Sequence, residues 1–289
     1  KQFGDNDTGS KINKLLDNHP HIKELCKVPV NIAMLCSIFT ENKKEQGGNE
    51  VNEITVDDIN NMGDLYQQMI ATLGKRFFNK HHKYEGNKSK QELIEQLNNG
   101  RFDINELKVL QDLASHGFKR DEALTFKGTS SNSEDKEDNT IQAAINRSSS
   151  NASWSQNEKP TISDIYKYGI LKTETNQGQT ANQDDIFLQR QLFSFVHLTF
   201  QEYLAAYEIT SSLLSYRNDR DELPAHNPEI ARKCEFLASN RDNPKYSMLL
   251  KFMSGLVAKE GNQDLTTAFW ESMTGNLDGV LDLGNDKKI

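Results

Sequence analysis

The stretch FSFVHLTFQEYLAA, residues 193–206, decides how the chain is organised. It opens with phenylalanine alternating with serine, which is typical of a strand with one buried face. From Thr199 onward, large apolar side chains recur at three- and four-residue steps, and Thr199 and Glu202 have the spacing of a helix capping box. The sequence therefore predicts a strand that runs into a helix, with His197 at the junction.

The residues before this stretch predict that the strand is half of a β-hairpin. A short apolar segment at residues 170–171 is separated from residues 187–196 by a polar turn rich in Asn, Gln and Gly. A short helix over residues 161–169 precedes the hairpin and ends at a glycine. Helices followed by a hairpin wing and a further helix are the parts of a winged-helix domain, which we predict over residues 79–215.

Helical patterns lie on both sides of this domain. Pro29 predicts a helix start, because proline suits the first helical position and cannot continue a helix. We predict a helical domain over residues 1–78 and a second helical domain over residues 216–289, so that the fold class is mainly α. Residues 128–160 hold Ser, Asn, Glu, Asp and Lys with few large apolar side chains, which predicts a disordered insertion there.

The composition excludes several classes of protein. The 289 residues include 34 basic and 42 acidic side chains, for a formal net charge of −8. Three cysteines without a C-x-x-C pair exclude a disulfide-stabilised miniprotein and favour a reducing compartment. No run approaches the ~18 apolar residues that cross a bilayer, and the first residues lack a signal-peptide pattern. We therefore expect a cytoplasmic protein with no membrane span.

His197 is the candidate functional residue that the local pattern indicates. A helix N-terminus presents unpaired N–H groups and a partial positive charge, and it therefore attracts anions. A histidine beside it can donate a hydrogen bond to a phosphate. A single histidine is also often a purely structural residue, and the residues alone leave both roles open.

Residues 193–206 closely resemble the FxFxHxxFQEYxAA signature of the NACHT class of signalling NTPases, the family that includes the NOD-like receptors. Two other segments resemble family elements, and all three occur in the family's order. Residues 25–36, LCKVPVNIAMLC, are similar to the C-x-x-P-L element of the helical domain that follows the nucleotide-binding core. Residues 246–256, which end in KFMSGL, are similar to the FxxGL helix after the winged helix.

The resemblance implies roles for two residues. In the family, the proline of the first helical domain packs against the adenine of the bound nucleotide, a role that would fall to Pro29. The winged-helix histidine contacts the β-phosphate of ADP in the closed resting state, a role that would fall to His197. The resemblance thus implies ADP or ATP as the cofactor, with homo-oligomerisation after ADP is exchanged for ATP.

The family's nucleotide-binding core is missing from this sequence. It contains no Gly-x-x-x-x-Gly-Lys-Ser/Thr motif and no apolar strand that ends in paired acids able to hold Mg²⁺. We therefore expect no ATP hydrolysis by this chain alone and assign it no catalytic residue. The resemblance implies a core before Lys1, which would supply any Mg²⁺ site, and sensor repeats after Ile289.

Two other functions remain open at this point. One is a winged-helix nucleic-acid binder, for which residues 75–90 are the richest basic patch, with aromatic residues between the basic ones. The net charge of −8 opposes this function, because nucleic-acid binding requires a basic face. The other is a helical protein-interaction module with no nucleotide role.

Overall fold

The described part of the chain contains twelve α-helices and one three-stranded sheet, which confirms the predicted mainly-α fold class. The computed structural model describes residues 6–44, 59, 61–81, 89–119, 125–129, 140–152, 154–155, 158–174, 188–189, 191–218 and 228–274.

Eight of the described α-helices precede the last strand, and four follow it. The first eight are α1 (Asn6–Asn18), α2 (Pro20–Leu25), α3 (Pro29–Lys44), α4 (Met62–Lys80), α5 (Lys90–Asn98), α6 (Asn105–Lys119), α7 (Ile141–Ala152) and α8 (Ile162–Lys167). The last four are α9 (Leu198–Asn218), α10 (Pro228–Asn240), α11 (Ser247–Glu260) and α12 (Gln263–Thr274). The strands are β1 (Thr125–Lys127), β2 (Leu171–Thr173) and β3 (Leu192–Phe195).

Contacts within the chain divide it into two compact units. Unit 1 comprises Lys1–Val109 and Thr125–His197, and unit 2 comprises Leu110–Leu124 and Leu198–Ile289. β3 therefore lies at the end of unit 1, and α9 opens the longer segment of unit 2. The three-domain division at residues 78/79 and 215/216 stays a prediction.

The β-hairpin is present as predicted, and an additional strand completes a sheet. β2 and β3 pair antiparallel, with Leu171 opposite Phe195. β1 pairs antiparallel with the other side of β3, with Phe126 opposite Phe193, so the strand order is β1-β3-β2. The sequence did not indicate β1, because three residues are too few to show alternation. The elements follow one another in the order α6, β1, α7, α8, β2 and β3. The winged-helix domain over residues 79–215 stays a prediction.

The prediction of a disordered insertion over residues 128–160 is wrong for most of the part that the structure describes. α7 lies inside it, and Ile141 and Ile145 on this helix are buried. Thr140 precedes α7, and its hydroxyl accepts a hydrogen bond from the amide of Ala143 at 3.0 Å. A few apolar residues at helical spacing are enough once tertiary neighbours cover them, although the segment as a whole is polar. The remainder, which includes residues 130–139, lies outside the described residues.

One part of the core of unit 1 lies between α1, α3, α4 and α5. α3 packs against both α1 and α4, and α4 also packs against α5. The fully buried apolar side chains here include Leu15, Leu35, Leu65, Met69 and Leu97. Each helix buries the stripe that its apolar spacing predicts, so packing rather than helix propensity stabilises this unit.

α9 is the helix on which unit 2 is built. Apolar side chains lie on all of its faces over residues 199–206, and every residue in that range is buried. α10, α11 and α12 all pack against α9. The rings of Tyr203 on α9 and Phe252 on α11 meet nearly perpendicular, with centroids 5.3 Å apart. A helix that is buried on every side needs packing partners around it, and α10, α11 and α12 are three of them.

A buried ion pair joins α9 to α10. Lys233 Nζ lies 2.6 Å from Glu208 Oε1 and donates a hydrogen bond to Ser212 Oγ at 2.8 Å. Lys233 is only 2% exposed, so protein partners rather than water stabilise its ammonium group. Because two buried charges lose their hydration, the pair adds little net stability, but removing one partner leaves the other charge uncompensated.

We expect Lys233→Met to lower the free energy of unfolding by about 2–3 kcal/mol, because the carboxylate of Glu208 would lose its counter-charge. The double variant Glu208→Leu/Lys233→Met should recover most of that loss, because neither charge is then buried. Urea unfolding followed by circular dichroism measures both. Additive losses in the double variant would contradict this account.

Gly128 is needed because two backbone segments approach each other closely there. Its amide donates to the Gln191 carbonyl at 3.1 Å, and the amide of Thr129 donates to the Gln189 carbonyl at 2.9 Å. A Cβ added at Gly128 would lie 2.4 Å from the carbonyl oxygen of Leu188. Any side chain here would therefore push the extension of β1 away from the segment before β3.

Gly128→Ala should destabilise the protein by about 1–3 kcal/mol, since the clash is with backbone that cannot rotate away. Gly9→Ala is the matched control, because a Cβ added at Gly9 in α1 meets nothing within 4 Å. The control should stabilise by up to about 1 kcal/mol through helix propensity. Thermal unfolding distinguishes the two, and a neutral Gly128→Ala would refute the close approach.

Candidate functional site

His197 lies between β3 and α9, as predicted. β3 ends at Phe195, and the amide of Val196 donates to the carbonyl of Ile170 at 2.9 Å, which ties the end of β3 to the residue before β2. α9 begins at Leu198 and runs for 21 residues. The half-buried side chain of His197 therefore lies immediately before the N-terminus of a long helix.

Burial lowers the pKa of His197 below its ordinary value of 6.5, and the imidazole is neutral at pH 7. A neutral imidazole has one ring nitrogen that donates a hydrogen bond and one that accepts. The first N–H groups of α9 follow directly in the chain and carry the partial positive charge of the helix end. The contact of His197 with a nucleotide phosphate stays a prediction.

The predicted capping box of Thr199 and Glu202 does not begin this helix. Because α9 starts at Leu198, Thr199 is its second residue and not its N-cap. Glu202 is 5% exposed, and burial raises its pKa to about 7. A carboxylate that accepts a hydrogen bond from an N-cap amide has a lowered pKa instead. The T-x-x-E spacing predicted the wrong N-cap, because it carries no information about where the preceding strand ends and the helix begins.

Glu202 makes the stability of the protein depend on pH. Its pKa is about 7 in the folded state and ordinarily 4.5, so ionisation costs folding free energy. The favourable contribution of the protonated carboxyl is complete below about pH 4.5 and is lost as the pH rises through 7. Glu202→Gln stays neutral at every pH and should remove this dependence.

We expect Glu202→Gln to stabilise the protein more at pH 8 than at pH 5, by about 2 kcal/mol. Urea unfolding at the two pH values measures the difference. Glu235→Gln on the exposed surface of α10 controls for the loss of one negative charge. A gain of the same size at both pH values would show that burial of the carboxyl is not its cause.

Pro29 occupies the first helical position of α3, as predicted, and it is exposed. Its ring is therefore available to pack against a flat apolar surface such as a purine base. Pro29 and His197 both belong to unit 1. Neither lines the open cavity of about 230 Å³ beside α5, which is formed by Glu92, Glu95, Gln96, Asn99 and Arg101.

The structure adds a buried hydrogen bond near Pro29 that the sequence did not indicate. The hydroxyl of Tyr66 on α4 donates to Asn31 Oδ1 on α3 at 3.0 Å, and both residues are fully buried. The two lie 35 positions apart in the chain. Apolar periodicity places Tyr66 in the core but carries no information about a partner that distant.

The basic patch of residues 75–90 is only partly a surface feature. Lys75 lies in α4 and is 8% exposed, while Phe77 and Phe78 are core residues. The remaining basic and aromatic positions between 82 and 88 lie outside the described residues. In the described part, the alternation of basic and aromatic residues therefore reflects a buried helix face and not a stacking platform for bases.

The described residues form neither a metal site nor a membrane-spanning helix. Those residues contain no group of three or more His, Cys, Asp or Glu side chains placed to bind a metal ion. None of the helices formed by them combines the length and the apolar character that a membrane crossing requires.

No protein-family model matches the chain, and neither curated proteins nor solved structures include a match. Any functional assignment therefore depends on the motifs and the geometry described above.

Proposed function

We propose that this chain is the regulatory part of a nucleotide-switched signalling NTPase of the NACHT type. It would close over ADP held by an α/β core and, after exchange for ATP, open to permit homo-oligomerisation. The observation that carries the proposal is the position of His197. This neutral, half-buried imidazole lies directly before the N-terminus of α9, where strand β3 has just ended.

The chemistry of this position suits a nucleoside diphosphate. The helix end supplies the electrostatic attraction for an anion, and His197 supplies a directed hydrogen bond. A switch requires different affinities for ADP and ATP in the closed state. A donor placed against a terminal β-phosphate would provide that difference, because in ATP the same phosphate carries the γ-phosphate.

The remaining parts of the proposal concern partners and compartment. The core would supply the phosphate loop, the Mg²⁺ site and any hydrolysis, and sensor repeats would supply the signal that opens the closed state. Cys26, Cys36 and Cys234 are all free thiols, which supports a cytoplasmic location.

The test replaces His197 in the full-length protein. We expect His197→Ala to accelerate ADP release about ten- to hundredfold, the range for losing a hydrogen bond to a charged group, and to favour spontaneous oligomerisation. ADP that remains bound after gel filtration is measured by chromatography of the denatured protein. His197→Gln retains a donor and should lose less.

His81→Ala is the matched control. His81 is half-buried, its pKa is also lowered by burial, and it lies in unit 1 at the end of α4. It should leave ADP release unchanged. Equal release from the wild type and His197→Ala would contradict the proposed role, as would equal acceleration by both alanine variants.

Nucleic-acid binding is the second candidate function, because the order of the elements resembles that of a winged-helix domain. It predicts DNA binding that weakens steeply between 50 and 200 mM salt. The burial of Lys75 and the net charge of −8 oppose it. A folded full-length protein that binds neither ADP nor DNA would instead favour a helical protein-interaction module.

A further inference from the structure

The chain leaves α8 through a left-handed turn at Gly169. The φ angle of Gly169 is +87°, in a region that residues with a Cβ rarely adopt. Its amide donates to the carbonyl of Tyr166 at 3.1 Å, and the amide of Tyr168 donates to the carbonyl of Asp164 at 3.1 Å. These bonds close the end of α8, and the left-handed residue then sends the chain into β2.

Both neighbours of Gly169 are held in the core of unit 1. Tyr168 is 1% exposed, and its ring lies beside that of Phe77 on α4, with centroids 5.5 Å apart. Ile170 is fully buried. Among the described residues, a Cβ added at Gly169 would come within 4 Å of Leu73 Cδ2 alone, at 3.8 Å, which is an ordinary contact. Space for a side chain is therefore available, and it is the backbone conformation that requires glycine.

This turn places the carbonyl that anchors the end of β3. Ile170 follows Gly169 directly, and its carbonyl accepts the amide of Val196 at 2.9 Å. Val196 directly precedes His197, so this bond fixes the backbone from which the histidine side chain extends. An alanine at position 169 would relax toward negative φ by turning the next residue, and its carbonyl would then move away from the Val196 amide.

We infer that Gly169 is a positioning residue for His197: its left-handed backbone aims the carbonyl of Ile170 at the amide of Val196 and so holds the imidazole before the N-terminus of α9. This inference rests on the proposed function, since it names the residue that places the proposed phosphate donor. Gly169 acts through the backbone and not through a contact with the nucleotide.

The first experiment compares Gly169→Ala with Gly169→Asn in the full-length protein. Asparagine enters the left-handed region several-fold more often than alanine, although its side chain is larger. We expect the amide of Val196 to exchange about tenfold faster in Gly169→Ala, because its acceptor has moved, and close to the wild-type rate in Gly169→Asn. Amides in the middle of α4 should keep their protection in both variants. Hydrogen exchange with mass spectrometry of peptides that span residues 193–197 measures the effect.

Gly261→Ala is the matched control. Gly261 ends α11 in unit 2 with a φ of +60°, and a Cβ added there meets none of the described residues within 4 Å. Both alanine variants impose the same kind of backbone strain and should lower the melting temperature by similar amounts, about 2–8 °C. Only Gly169→Ala should also speed the exchange of the Val196 amide.

The same variants test the consequence for the nucleotide. Gly169→Ala should accelerate ADP release about tenfold, because a displaced imidazole loses its hydrogen bond to the phosphate. Gly169→Asn and Gly261→Ala should release ADP at close to the wild-type rate. A merely structural role would give the two alanine variants equal effects, because their losses of stability are matched. ADP that remains bound after gel filtration measures the difference.

The outcomes separate this inference from the proposed function. Wild-type exchange of the Val196 amide in Gly169→Ala, or equally fast exchange in both alanine variants, would overturn the inference. If His197→Ala accelerates ADP release but Gly169→Ala does not, the positioning role is wrong and the proposed function stands. If the exchange results are as expected but His197→Ala leaves ADP release unchanged, the proposed function is wrong and the placement of His197 by Gly169 stands.

Discussion

The hydrogen bond from the amide of Val196 to the carbonyl of Ile170 is the constraint on which the rest of the candidate site depends. It fixes where the central strand of the sheet stops, and β3 has a partner strand on each side. The chain can then start α9 only two residues later. Two residues, Val196 and His197, lie between the end of β3 and a helix whose first N–H groups have no partners within the helix.

This arrangement also explains the protonation of the two titratable groups near the junction. Burial lowers the pKa of His197 and raises the pKa of Glu202 to about 7, so burial favours the neutral form of each. A charged imidazole would bind any phosphate strongly, including ATP and free phosphate. A neutral donor binds according to geometry, which is the property that a nucleotide switch requires.

Polar contacts inside the cores determine how helices are placed, whereas apolar burial supplies most of the stability. The hydroxyl of Tyr66 and the ammonium group of Lys233 each meet a partner on a neighbouring helix. Apolar contacts tolerate a small shift of one helix along another, but a buried hydrogen bond does not. Breaking such a bond costs more free energy than the bond contributes to stability when it is formed. Such bonds therefore specify the register of α3 on α4 and of α10 on α9.

Local patterns in the sequence determined the mainly-α class, the helix start at Pro29, the β-hairpin and the position of His197, because three- to four-residue periodicity and turn residues act over a few neighbours. Only the tertiary structure decided that residues 141–152 form an ordered helix and that β1 pairs with β3. It also decided the burial of Lys75 and the hydrogen bond between Tyr66 and Asn31. Each of these depends on a partner distant in the chain. A polar segment folds, or a lysine is buried, only when residues distant in the chain pack against it. Local spacing in the sequence carries no information about those contacts.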